Sequence, residues 1–132
     1  MRDEHRLEKI EDALDRLRMD AAGQVVIVEG RRDADALEAL GIGGSHVLVH
    51  RGQALQVWVD EVGRKYAGKV AIVLTDWDRT GGRFARMAMD GLQAHMRVDL
   101  LHRRRLQSAC RAKCFEDLPA ELEALRDKNP KR

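Results

Sequence analysis

The chain has 132 residues, 44% of them hydrophobic, enough for one domain with a modest core. Its 24 Lys and Arg nearly balance its 22 Asp and Glu, so net charge alone names no partner. No apolar run approaches the roughly 20 residues that span a bilayer, residues 1–5 lack the apolar core of a secretion signal, and only two cysteines, Cys110 and Cys114, occur; a disulfide scaffold and a membrane protein are excluded, and a cytoplasmic protein is expected.

The elements follow in chain order. Residues 3–19 predict a helix whose Leu7, Ile10, Leu14 and Leu17 form an apolar stripe at helical spacing. That stripe is expected to pack on its own domain; the alternative is a second copy of the chain. Residues 24–29 are continuously apolar and β-branched, as buried parallel strands are. A helix over 32–40 follows, with Asp33 in its first turn, where the helix dipole favours a carboxylate, and Gly41 as its stop. Further strands are expected at 46–49, 69–75 and 97–101, and further helices at 54–66 and 82–95. A basic helix over 103–113, a short helix ending near 125 and a frayed tail over 127–132 complete the chain.

This alternation predicts an α/β, Rossmann-like domain of about four parallel strands with helices on both faces. The single domain has a core over 22–101, the N-terminal helix, and a basic C-terminal helical extension over 102–132. Charge is unevenly spread along it. Residues 1–20 carry five basic and seven acidic side chains, whereas 97–114 carry six basic and one acidic. The second stretch suits a polyanion such as nucleic acid, or equally a solvated face.

Two acidic clusters each follow an apolar run: Glu29-Gly30-Arg31-Arg32-Asp33, and Asp76-Trp77-Asp78-Arg79-Thr80-Gly81. In open parallel sheets chemistry collects at the carboxyl ends of the strands. Carboxylates meeting there repel one another unless a cation joins them, which suggests a magnesium-dependent phosphate site, with manganese as a substitute. Asp76 and Asp78 would hold the metal. Glu29 would complete the shell or act as general acid/base. Arg31, Arg32, Arg79 and Arg83 would offset phosphate charge, and Gly30 and Gly81 would admit a phosphate closely. The plainer alternative is that Asp76 and Asp78 only open a turn before a helix.

The two motifs together, Val-Val-Ile-Val-Glu-Gly-x-x-Asp and Val-Leu-Thr-Asp-x-Asp-x-x-Gly, resemble the Toprim domain of topoisomerases, bacterial-type primases, certain nucleases and recombination mediators. The resemblance runs over about residues 24–101. It implies Glu29 as general acid/base, Asp76 and Asp78 as magnesium ligands, and Asp33 as the second acidic position of the first motif. A topoisomerase tyrosine on a separate domain and the flanking regions of a primase are lacking. The chain is thus similar to small stand-alone Toprim proteins of archaea and bacteria, and more loosely to ribonucleases that mature ribosomal RNA. Phe-Glu-Asp-Leu-Pro, at 115–119, resembles the tail of the stand-alone group. The resemblance implies a small magnesium-dependent nuclease, a hydrolase acting on RNA or DNA alone or in a larger processing complex. The alternative is a non-catalytic module that binds nucleic acid or protein. Asp76-Trp77-Asp78 also fits a haloacid-dehalogenase-type phosphatase with Asp76 as nucleophile, but that leaves Glu29-Gly30 unexplained.

Four other features stand out. Arg103, Arg104 and Arg105 are candidates for phosphate-backbone contacts. His50 closes the second strand, where it would support proton transfer or bind phosphate, or remain a surface-loop residue. Trp77 would stack on a base or wedge beside the site. His102, Cys110 and Cys114 match no usual zinc spacing, so the cysteines are expected to be reduced thiols on a helix face.

Overall fold

The parallel runs of β-branched residues become a four-stranded sheet in the order β2-β1-β3-β4. The strands are β1 (Val25–Val28), β2 (Ser45–Leu48), β3 (Val70–Val73) and β4 (Arg97–Asp99). The structure is a computed structural model that describes residues 2–49 and 52–130. Val25 lies opposite Ser45 on one side and Ala71 on the other, and Val70 lies opposite Arg97; every pairing is parallel. The helices are α1 (Asp3–Ala21), α2 (Arg31–Ala39), α3 (Leu55–Lys65), α4 (Arg79–Leu92), α5 (Leu101–Ala109) and α6 (Leu118–Lys128), with a 3-10 turn at Phe115–Asp117 before the last.

Handedness distributes the helices. The step from β1 to β2 runs opposite to the steps β2 to β3 and β3 to β4. Because βαβ crossovers are right-handed, α2 falls on one face and α3 and α4 on the other. Alternation along the central strands then builds two cores. Val26, Val28, Ile72 and Leu74 pack with α1, α2, α5 and α6. Val25, Ile27, Ala71 and Val73 pack with α3 and α4. The α1 stripe is fully buried within its own domain: Leu7, Ile10, Leu14 and Leu17 are each 0% exposed. Each contributes about 2 kcal/mol of burial, so this stripe is not left to a second subunit.

Gly41 stops α2 in a left-handed conformation at φ +73°. Other boundaries move for local reasons. Helix α4 begins at Arg79 rather than 82, because the Asp78 carboxylate caps it by accepting the Gly81 N–H at 2.7 Å. Strand β4 stops at Asp99, whose Oδ1 accepts from the N–H groups of Leu101 at 2.8 Å and His102 at 3.2 Å. That starts α5 at Leu101, and α5 ends at Ala109. Cys110 and Cys114 therefore lie beyond a helix, not on its face. Pro119 sits in the first turn of α6, where a missing N–H costs nothing, and that helix continues to Lys128 through residues expected to fray. Among the described residues no helix is long and apolar enough to cross a membrane.

Candidate active site at the carboxyl ends of the strands

Strand order reverses between β1 and β3, since β1 leads outward to β2 and β3 leads the other way to β4. Such a switch point opens a crevice at the carboxyl ends of the two strands. Glu29 leaves β1 there, and Asp76 and Asp78 follow β3. The Glu29 Oε2 accepts the backbone N–H of Asp76 at 2.7 Å, so the two acidic motifs, 47 residues apart in sequence, are in direct contact. Asp76 Oδ1 accepts from the Phe115 N–H at 3.0 Å, and Asp78 Oδ1 from Gly81. Each of the three carboxylates thus anchors one oxygen on a backbone N–H. The helix-opening role of Asp78 is real, and it coexists with a place at the crevice.

The carboxylates crowd one another. Burial, chiefly, and the charges of Asp76 and Asp78 push Glu29 from its ordinary 4.5 up to about 7, against the stabilising N–H of Asp76. Asp33, 7% exposed, rises from 3.8 to about 6 through burial and the charge of Asp76. Its Oδ2 accepts the Gly30 N–H at 3.1 Å, tying the first turn of α2 to the end of β1. Glu29, Asp76 and Asp78 offer the oxygen ligands that a hard cation such as magnesium or manganese prefers, but their carboxylate oxygens do not all lie within 4.8 Å of one another. Among the described residues, Cys114, Glu116 and Asp117 are the one group of three acidic, Cys or His residues whose ligand atoms all lie within 4.8 Å. That group is explained internally, because the Cys114 thiol donates to Asp117 Oδ2 at 2.8 Å.

The predicted arginines divide. Arg31 and Arg32 are exposed at the start of α2, with Arg32 4.0 Å from Glu116. Arg79 and Arg83 line a groove of about 530 Å³ between α4 and α5, beside the crevice. Arg103 forms its far wall, but its Nε and Nη2 donate to the carbonyls of Thr75 at 2.9 Å and Asp76 at 2.6 Å. It braces the chain that carries the acidic pair, a role different from the expected backbone grip. Burial lowers its pKa, and the charges of Glu29, Asp78 and Asp76 act in the opposite sense. Consecutive helical residues are turned by about 100°, so Arg104 and Arg105 cannot share the orientation of Arg103.

Several other expectations change. Gly81 is required by its own chain: a Cβ there would overlap the Asp76 carbonyl, and the Thr75 hydroxyl donates to the Gly81 carbonyl at 2.6 Å. At Gly30 a Cβ would meet Asp33 Oδ2 at an ordinary 3.9 Å. Trp77 is a wedge rather than a base platform. Its Nε1 donates to the Ala112 carbonyl, and its ring meets the fully buried Phe115 edge-on at 6.4 Å. His102 is 1% exposed and bonds to Asp20 at 2.7 Å, apart from both cysteines. Burial first pushes both thiols up to about 12, so they stay protonated. His50 lies outside the described residues. Residues missed from the sequence are Arg86, which lines the groove, and Glu121. The latter accepts from the N–H groups of Arg111 at 2.8 Å and Ala112 at 2.7 Å and pairs with Arg6 at 3.2 Å. The signal for Arg86 was its helical spacing from Arg79 and Arg83.

Fold and site together define an open, parallel α/β protein with an acidic crevice at its switch point. The chain belongs to the UPF0292 family. It is 36% identical to the UPF0292 protein of Pyrococcus furiosus over 121 residues, covering 90% of this chain and 88% of that one. It is 33% identical to that of Methanocaldococcus jannaschii over 90 residues, covering 68% and 69%, and 33% identical to that of Thermoplasma volcanium over 100 residues, covering 74% and 82%. A solved structure, a putative protein from Aquifex aeolicus, shares the fold with a TM-score of 0.62 at 24% identity, covering 74% of this chain and 88% of that one. No family model matches the chain. The Toprim resemblance is therefore corrected, together with the stand-alone and ribosomal-RNA subgroups drawn from it: the relatives carry the UPF0292 name, and no Toprim model matches. The physical reason the motifs misled is general. Any parallel sheet whose order reverses between two strands brings acidic residues after those strands together.

Proposed function

We propose that the protein is a divalent-cation-dependent phosphoryl-transfer enzyme of the cytoplasm that cuts phosphodiester bonds in RNA or DNA. The observation that carries this reading is the 2.7 Å bond between Glu29 and the Asp76 backbone, with Asp78 two residues on. Asp76 and Asp78 are the residues that would hold magnesium or manganese, with Glu29 beside them. A cation bound there would neutralise charge on the phosphate and lower the pKa of a coordinated water. Glu29 would accept the proton of the attacking water as its oxygen bonds to phosphorus; the bond from phosphorus to the leaving oxygen would break, and that oxygen would take a proton from solvent water. Groove arginines offset the charge of the substrate.

Labelled structured RNA, single-stranded DNA and duplex DNA, incubated with magnesium or manganese, test the reading beside Glu29→Gln and Asp76→Asn. Cutting by the wild type and loss in both variants is expected. Cutting that survives both substitutions sinks the mechanism. Metal-dependent binding with no cutting of any substrate replaces it with a non-catalytic binding module.

A further inference from the structure

The groove beside the crevice is lined by Arg79, Gly82, Arg83, Ala85, Arg86, Met89, Leu100 and Arg103, with no carboxylate among them. We infer that it is the track for a single nucleic-acid strand, holding the phosphates that flank the bond at Glu29, Asp76 and Asp78. The inference deepens the proposed function by naming its substrate class and rests on that reading for the fate of the strand.

Arg79, Arg83 and Arg86 stand at i, i+4 and i+7, on one side of α4. With a rise of about 1.5 Å per residue they are spaced roughly 6 and 4.5 Å along the axis, a repeat on the scale of successive phosphates in an extended strand. Five arginines, Arg6, Arg16, Arg18, Arg32 and Arg126, each have a carboxylate within 4.0 Å. Among the described residues, Arg79, Arg83 and Arg86 have no carboxylate partner. Three such guanidiniums on one helix side repel one another, and a polyanion relieves that repulsion.

The groove also argues for one strand rather than two. Its volume of about 530 Å³ is that of a small-ligand cleft, space for a short stretch of one strand and too small to enclose a duplex. Met89, 38% exposed, and Leu100 give sugars and base faces an apolar surface. Arg103 closes the far side while tethered to the Asp76 carbonyl, so the groove wall is tied to the acidic chain.

The test is binding without cutting. Fluorescence anisotropy with labelled 12-residue oligo-dT and oligo-rU and a labelled 12-base-pair duplex DNA, in chelator and low salt, compares the wild type with Arg83→Ala/Arg86→Ala and Arg83→Lys/Arg86→Lys. Both positions are exposed, so neither pair disturbs the core. The alanine pair is expected to lose at least tenfold in affinity. It also reduces the magnitude of the log–log salt slope by about 1.4, from two fewer contacts at about 0.7 each; the lysine pair keeps most of the binding. No wild-type binding, unchanged affinity in the alanine pair, or duplex DNA bound as tightly as a single strand overturns the inference. Oligo-dT against oligo-rU tells which sugar is preferred. Because chelator removes catalysis, loss of binding in the alanine pair with no nuclease activity would keep the track and discard the proposed reaction. Cutting with intact binding in the alanine pair would do the reverse.

Discussion

The Glu29 carboxylate and the Asp76 N–H meet at 2.7 Å, which joins the end of β1 to the end of β3 across the line where strand order reverses. Because Glu29 is partly buried, and secondarily because it lies near two further carboxylates, its ionised form is disfavoured in the fold. The protonated form therefore adds stability that is fully present below its ordinary 4.5 and is lost as pH rises through about 7. In chelator the urea midpoint of the wild type should fall across that window, with Asp33 adding a parallel loss between 3.8 and about 6. Glu29→Gln keeps an acceptor for the Asp76 N–H and removes the charge. It should flatten the upper part of the profile and gain about 1 kcal/mol at pH 8, discounted for the solvent that reaches the side chain. Parallel profiles for the two proteins would show that Glu29 titrates normally.

A cation at the crevice should reverse that trend. At a dissociation constant of about 1 mM, 10 mM magnesium stabilises the folded state by roughly 1.4 kcal/mol. The gain should be largest at pH 8, where Glu29 is ionised, and shrink at pH 5. Asp76→Asn and Asp78→Asn should each remove most of it. Thermal unfolding with magnesium, manganese or calcium, at both pH values, measures this; an equal shift in wild type and both variants would place the ion elsewhere.

The strand runs were readable because a buried parallel strand has almost no alternative to continuous apolar, β-branched sequence. The same holds for the α1 stripe and for the acidic residues after β1 and β3, since their place follows from topology. What escaped was anything decided by a hydrogen bond between distant segments. The brace from Arg103 to the Thr75 and Asp76 carbonyls spans 28 and 27 residues, and a run of three arginines does not reveal which one turns inward. The partial burial of Trp77 depends on a segment near Ala112 and Phe115 that returns across the site. Asp99 ended β4 early with a local cap, a signal that a strand-biased view of 97–101 passed over. The family resemblance failed for another reason: acidic residues that follow two neighbouring strands meet at any such switch point.

Adjacent glycines on α4 should respond with opposite signs. At Gly81 a Cβ would run into the Asp76 carbonyl, which is main chain and cannot swing away. Gly81→Ala should therefore cost about 3 kcal/mol or more and shift Asp76 with it. At Gly82 a Cβ meets Arg103 Nη2 at 3.7 Å, an ordinary contact. Gly82→Ala should gain up to about 1 kcal/mol from helix propensity. Urea unfolding of both variants checks the pair; equal effects would remove the close approach as the reason for Gly81.

Arg103 should behave as a positioning residue. Its Nε and Nη2 serve the Thr75 and Asp76 carbonyls; Arg103→Met leaves both acceptors with no partner of their own and costs about 1–3 kcal/mol. Lysine cannot reproduce a two-pronged donor, so Arg103→Lys should recover only part of that loss. The distinguishing measurement is the magnesium-induced shift in thermal unfolding. If Arg103 holds the chain that carries Asp76, the shift should fall in Arg103→Met without any nucleic acid present. If its role were only to grip phosphates, the magnesium shift would stay at the wild-type value and strand binding alone would weaken. A full magnesium shift in Arg103→Met would thus return Arg103 to the groove as a simple phosphate contact.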